Sequence, residues 1–337
     1  MAKVKLIEYY LPEKTVTNAD LSSRFPDWSI EKIVQKTGIA ERRIAAENEF
    51  ASDLAVRAAE KIFENSSVKR EDIDFLLYCT QSPDYLLPTT ACILQQRLNL
   101  PVSIGALDYN LGCSGYVYGL ALAKGLVDTG MAKNVLLIMA ETYSKYIHPQ
   151  DKGNLTLFGD AASASIITAG EDGKGMEIDS FVFGTDGSGA QSLIVKNGGI
   201  VNFAAEGQDI YDENGFVSND DYLFMNGADI FNFTSKAVPA LVSDLLDKHQ
   251  LKIDDIDYFV FHQANKYMLN TIRKKIGIPE EKFLLHMETC GNTVSSTIPI
   301  VLHEFIKQNK FKQGDKILLA GFGVGLSLAG TILNYQE

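Results

Sequence analysis

Three polar side chains stand in apolar surroundings and carry chemistry that their neighbours do not: Cys113 in NLGCSGY, His262 after YFVF, and Asn292 in CGNTVSST. A thiol can act as a nucleophile, an imidazole as base or donor, and a carboxamide as a donor to an oxyanion. Cys113 precedes a helix expected to begin near Ser114, whose N-terminal dipole and free N–H groups favour thiolate. Gly112 and Gly115 beside it permit a sharp turn and close approach of a ligand. His262 closes a buried strand, the end at which ligands sit in α/β sheets. Each residue also has a plainer reading. A free Cys is most often an inert core residue, a strand-end His can be satisfied by backbone, and Asn commonly caps a helix.

The order Cys, His, Asn, with His262 149 positions after Cys113, also fits a papain-like cysteine hydrolase. That class carries a CGSCW-like signature, however, and this chain reads NLGCSGY. GFGVG (321–325) follows a strand but lacks GxGxxG spacing, so a tight turn offering N–H groups is the better reading than a dinucleotide fingerprint. The four Cys residues form no CxxC, and the His residues show no HxH or HxxxH relation. No metal site is expected.

The elements that hold these residues occur twice. VKREDIDFLLYCTQ (68–81) and LKIDDIDYFVFHQA (251–264) match at an offset of 183, with Lys69/252, Asp72/255, Ile73/256 and Asp74/257 identical. Each follows a stretch with apolar positions three and four apart, which predicts a helix, an acidic loop and a buried strand. NVLLIMAE (134–141) pairs with KILLAGFG (316–323), and FGDAASASIIT (158–168) with FGVGLSLAGTI (322–332). Gly112-Cys113-Ser114 falls opposite Gly291-Asn292-Thr293, each before a helix. Strands alternating with helices predict an α/β fold with mostly parallel pairing, built from two similar halves. The halves are placed at 1–172, carrying the Cys, and 173–337, carrying the His and Asn.

Composition narrows the class. Apolar residues make up 46% and the formal net charge is −12, with neither half basic, so nucleic acid and anionic membrane are not expected partners. The start has no apolar stretch of signal-peptide length. The glycine-punctuated run Ile317 to Leu333 reads as buried strands joined by a turn rather than as a membrane span. A cytoplasmic protein is expected.

With TGIAERRIA (37–45), YNLGCSGYVYGL (109–120), FGDAASA (158–164), FHQAN (261–265), CGNTVSSTIP (290–299) and GFGVGLSLAG (321–330) in order, the chain resembles the β-ketoacyl-acyl-carrier-protein synthase III family of thiolase-fold condensing enzymes. The resemblance covers nearly the whole length. It implies a five-layered sandwich and a homodimer. It also implies an acyl-CoA primer loaded on Cys113, in an oxyanion hole made by the amides of Cys113 and Val324. Malonyl-acyl carrier protein then enters, and His262 and Asn292 donate to its thioester carbonyl as carbon dioxide leaves. Coenzyme A and carrier protein serve as substrates, with no resident cofactor or metal.

Departures from the family pattern concern donor recognition. The place of a Trp that stacks on the coenzyme A adenine holds Lys32, and Trp28 lies four residues earlier. Arg positions that meet coenzyme A phosphates read Lys36 and Lys152, keeping charge but losing the bidentate fork. The primer-pocket Phe that crosses from the partner subunit reads Leu87, and the Trp of the terminal motif reads Leu328. A carrier-docking Arg reads Tyr267, so Lys266, Arg273, Lys274 and Lys275 are expected to supply the basic patch. The alternative function is an acyltransferase of the same fold that moves an acyl group to an alcohol, amine or sugar without condensation. A non-catalytic acyl-binding subunit is a third reading, opposed by the three intact polar residues.

Overall fold

Strand residues of this chain alternate between two apolar faces, and the architecture follows from what covers each face. The computed structural model describes residues 1–170, 174–213 and 215–337. Among these, nine strands form one sheet: β1 (Lys3–Tyr10), β2 (Phe75–Cys79), β3 (Gly105–Tyr109), β4 (Asn134–Glu141), β5 (Ala161–Thr168), β6 (Gly175–Thr185), β7 (Tyr258–Phe261), β8 (Lys316–Gly323) and β9 (Ser327–Gln336). Their order is β7-β8-β9-β6-β1-β5-β4-β2-β3.

The duplication read from the sequence is visible in this order, but the mostly parallel pairing expected from it is not. Five of the eight neighbouring strand pairs are antiparallel, because the strand after each parallel pair folds back beside it instead of crossing over through a long helix. β2 runs parallel to β4, β4 antiparallel to β5, and β5 antiparallel to β1. The second series repeats the pattern: β7 parallel to β8, β8 antiparallel to β9, and β9 antiparallel to β6. The two series join where Lys3 and Val4 pair with Glu177 and Met176. β3 has no full counterpart among the described residues; its place is taken by a single Phe259–Phe283 bridge. The expected boundary between the halves, at residues 172 and 173, lies outside the described residues.

Six helices matter for the site: α1 (Ile30–Thr37), α2 (Ala51–Asn65), α3 (Gly115–Asp128), α4 (Gly227–His249), α5 (Lys266–Ile276) and α6 (Thr297–Lys307). Leu76 and Tyr78 of β2 pack outward against α2, while Leu77 and Cys79 pack inward against α3. Leu318, Ala320 and Phe322 of β8 pack outward against α4 and α5, and Ile317 and Leu319 pack inward against α3 and α6. Both faces of each central strand are therefore dry, which is why these strands read as continuous apolar runs. α3 and α6 form the middle layer between the two halves of the sheet. Burial on all sides explains why α3 is apolar nearly all round. The result is the five-layered thiolase-like sandwich, with Cys113 just before α3, His262 at the end of β7 and Asn292 in the loop that leads to α6.

Candidate active site

The glycines of GFGVG determine how close the backbone can come to the thiol. A Cβ on Gly323 would lie 2.8 Å from Cys113 Cβ and 2.9 Å from its Sγ; one on Gly321 would lie 2.9 Å from Ser114 Cα. Only Gly fits at either place. α3 begins at Gly115 with Ser114 at its cap position, so Cys113 stands just outside the first turn. The Val324 N–H and the N–H of Cys113 itself both face the sulfur. Two amides thus converge on the sulfur, and donors so placed are the kind from which an oxyanion hole is built.

Burial overturns the expected thiolate. Cys113 is 7% exposed, and desolvation pushes its thiol up to about 12 against the smaller opposing pull of the Val324 and Cys113 amides. His262 is 2% exposed, and burial pushes its imidazole down to about 3. At neutral pH the site holds a thiol and a neutral imidazole, not an ion pair.

The His262 amide donates to the Ala320 carbonyl at 2.8 Å, which seats the ring at the end of β7 beside β8. The ring meets Phe322 edge-on, with centroids 5.7 Å apart. Its Nδ1 lies 2.8 Å from Thr297 Oγ1. Asn292 is held by backbone pairing with the FGDAASA segment: its N–H donates to Leu157 and its carbonyl accepts from Gly159. Its Oδ1 accepts from the Val294 N–H at 2.9 Å, which leaves the NH2 end of the carboxamide to donate to a ligand. Asn292 is not the cap of the following helix, since α6 begins at Thr297 with Ser296 before it.

Shared neighbours bring the three segments together. A Cβ on Gly112, next to Cys113, would meet Val324 Cγ1 at 2.6 Å and Val294 Cγ1 at 3.3 Å. Val294 adopts φ +55°, a conformation that β-branched residues rarely accept. Its amide is taken by Asn292 and its carbonyl by Thr297, so the strained residue links the two donors. The TGIAERRIA motif braces this loop: buried Arg42 donates to Asn18, Val16 and Thr156. Asp160 of FGDAASA accepts from the Ala45 and Ser144 amides.

A cavity of about 630 Å³ opens beside α1 and α5 and is lined by Trp28, Lys32, Lys36, Phe231, Asn265 and Tyr267, among others. The Lys32 and Lys36 ammonium groups lie 5.3 and 5.2 Å from the Trp28 ring centroid. Trp28 therefore reaches the cavity from the turn before α1, four residues ahead of the expected position. Lys36 lines the cavity, whereas Lys152 turns to Asp27 at 2.7 Å. Leu328 is buried on β9 opposite Gly184 and Phe322, in the cluster that holds Cys113. Leu87 is 82% exposed.

The expected basic patch is only partly available. Arg273 donates to the Ile278 carbonyl at 3.0 Å and meets Glu280 at 3.3 Å, so it closes the end of α5. Lys275 donates to the Ser235 carbonyl of α4 at 2.7 Å. Lys266 and Lys274 are exposed. Sequence reasoning missed Thr297 and Phe322 beside the imidazole, and the buried Glu141. Glu141 accepts from the Gln81 amide and the Ser82 hydroxyl. No local pattern marks Thr297; only the packing of α6 against β7 does.

The doubled α/β sandwich is that of thiolase-like enzymes. Two family models match: 3-oxoacyl-[acyl-carrier-protein] synthase III over residues 107–187 and its C-terminal counterpart over 246–335. A β-ketoacyl-[acyl-carrier-protein] synthase III of Clostridium perfringens is 36% identical over 99% of each chain. A crystal structure of a 3-oxoacyl-(acyl-carrier-protein) synthase III is 50% identical over 99% of each chain, with a TM-score of 0.96. The Thermus thermophilus β-ketoacyl synthase III structure is 35% identical over 99% of each chain, with a TM-score of 0.86. The chain belongs to the β-ketoacyl-acyl-carrier-protein synthase III family, condensing enzymes of the acyltransferase class.

Proposed function

We propose that this enzyme joins an acyl-CoA primer to malonyl-acyl carrier protein by decarboxylating Claisen condensation, with Cys113, His262 and Asn292 as its reacting groups. The observation that carries the reading is the thiol under two amides, those of Cys113 and Val324, in a site that also presents an imidazole and an oriented carboxamide. Neutral His262 takes the Sγ proton as the thiol attacks the primer carbonyl. The thioester C–S bond breaks, and the departing coenzyme A thiolate takes that proton. In the second half-reaction the malonyl C–C bond breaks, releasing carbon dioxide and an enolate whose oxygen is held by His262 and Asn292. The enolate carbon attacks the acyl carbonyl, and the Cys113 sulfur leaves and takes a proton from water. Loss of carbon dioxide generates the carbanion, so the scheme calls for no metal and no cofactor.

The rest of the reading follows the same chemistry. Coenzyme A lies along the 630 Å³ cavity, with Trp28 for the adenine and Lys36 for its phosphates; Lys152 joins Lys36 there only by leaving Asp27. Carrier protein, being acidic, docks on Lys266 and Lys274. The chain works as a cytoplasmic homodimer built of two similar halves. Exposed Leu107 on the edge strand β3, with exposed Tyr85, Leu86 and Leu87 nearby in sequence, supports that assembly. No helix among the described residues is long and apolar enough to cross a membrane.

The test separates the half-reactions by intact-protein mass spectrometry after acyl-CoA and by labelled carbon dioxide after malonyl-carrier protein. Asn292→Ala should form the acyl adduct but lose carbon dioxide release by roughly 10²–10³. Cys113→Ala should form no adduct and retain part of the decarboxylation. An Asn292→Ala enzyme that decarboxylates normally yet fails to load would reverse these roles and favour simple acyl transfer.

A further inference from the structure

His262 has two tasks in the proposed cycle, and they need opposite states of one atom. Accepting the thiol proton needs a lone pair on Nε2; donating to the malonyl carbonyl needs an N–H there. In a neutral ring the choice is made at Nδ1, because the nitrogen without the proton must be an acceptor. The ring is buried, so Nδ1 needs a partner in both states. What faces it is Thr297 Oγ1, at 2.8 Å and itself 3% exposed, with the Val294 carbonyl also within hydrogen-bond reach of the ring. That hydroxyl lies 3.0 Å from the Val294 carbonyl, which can only accept.

We propose that Thr297 is a positioning residue whose hydroxyl, by rotating between the Val294 carbonyl and Nδ1, lets His262 serve as base in loading and as donor in decarboxylation. With the hydroxyl proton on Val294, Thr297 Oγ1 accepts from Nδ1–H and Nε2 presents its lone pair. With the proton turned to Nδ1, Nε2 carries the N–H. The neutral ring holds one proton in both states; interchange adds a proton from water at Nε2 and releases the Nδ1 proton to water while the ring swings briefly away from Thr297. A hydroxyl is the side-chain group here that pairs both states, since it donates and accepts. Phe322, packed edge-on, offers neither at ordinary strength. The inference rests on the condensing-enzyme reading for its two half-reactions, but the ring state itself does not.

The structure assigns a specific consequence to removing the hydroxyl. In Thr297→Val, Nδ1–H can still turn to the Val294 carbonyl, whereas a bare Nδ1 loses its donor. The base form survives and the donor form does not. Acyl loading, measured by adduct mass, should stay within a few-fold of the unmodified enzyme and also report that the variant is folded. Release of labelled carbon dioxide should fall roughly a hundred- to a thousandfold, the scale of one lost donor, and Thr297→Ser should restore it. Nitrogen-15 NMR of ring-labelled histidine should show Thr297→Val held in the Nδ1–H form and the unmodified protein sampling both. Equal losses in both half-reactions, no loss in either, failure of Ser to restore, or an unchanged ring signal would each overturn the proposal. An unmodified enzyme that releases no carbon dioxide would sink the condensation reading instead, and the NMR comparison would still decide the role of Thr297.

Discussion

Protonation at Cys113 is decided by a contest between two effects that the sequence alone cannot rank. Amides at the sulfur favour thiolate, and burial opposes it; burial is the larger, and the thiol stands at about 12. The nucleophile must therefore be deprotonated as it attacks, which suits a site with a neutral imidazole and a carbonyl substrate. It also separates this thiol from Cys92, which is exposed. Iodoacetamide at pH 7 should label Cys92 well ahead of Cys113, and Cys113 labelling should accelerate as pH rises toward 10. Peptide mass mapping over time measures both. Cys113 labelled first at pH 7 would mean that the two amides outweigh burial.

At the scale of elements, α5 and the loop after β2 each carry a prediction. α5 places three cations in its last turn, but two are committed: Arg273 to the turn at Ile278 and Glu280, and Lys275 to α4. Lys274→Glu should weaken the malonyl-carrier step in a salt-sensitive way and leave acyl-CoA loading nearly unchanged. Arg273→Ala should instead lower the melting temperature, because it frees a buried carbonyl. Half-reaction rates at two salt concentrations, with melting curves, distinguish the two. The loop after β2 hangs on Glu141, whose carboxyl burial pushes up to about 8. The folded chain then keeps this proton where the unfolded chain, with an ordinary carboxyl, loses it. Stability from this group is full below the ordinary carboxylate range and is lost as pH rises to about 8. Glu141→Gln should raise the melting temperature at pH 9 by several degrees relative to the unmodified protein, and do little at pH 5.

For the whole molecule, the proposed dimer and the primer are linked through Leu87. It is 82% exposed in a single chain, beside Tyr85 at 63% and Leu86 at 71%, an apolar cluster that a monomer has little reason to display. With Leu in place of an aromatic at 87 and 328, the primer pocket is read as roomier than one for acetyl. Acyl-CoAs longer than acetyl should load Cys113 faster, by about 0.8 kcal/mol per extra buried methylene, and Leu87→Phe should move the preference back. Competition among acyl-CoAs, read by adduct mass, checks this; acetyl outcompeting every longer primer would refute it. Leu107→Lys, on the sheet edge, should convert the dimer to monomer in sedimentation and lower turnover in parallel.

The sequence by itself determined the doubled α/β pattern, because buried strands must be apolar on both faces and the acidic loop before each strand recurs at a fixed offset. It also singled out Cys113, His262 and Asn292, since polar groups are costly at such places unless they are used. It could not show that Arg273 and Lys275 are spent on the fold, because their acceptors lie across a turn and on another helix. Nor could it rank burial against the helix terminus at Cys113, since desolvation depends on atoms brought in by β8. Thr297 is one polar residue among several in CGNTVSST, and only the packing of α6 against β7 puts its hydroxyl on the imidazole. Residue types record what a position can do chemically. Which partner it meets is fixed by long-range packing, and that is where protonation, hydrogen-bond direction and available charge were decided.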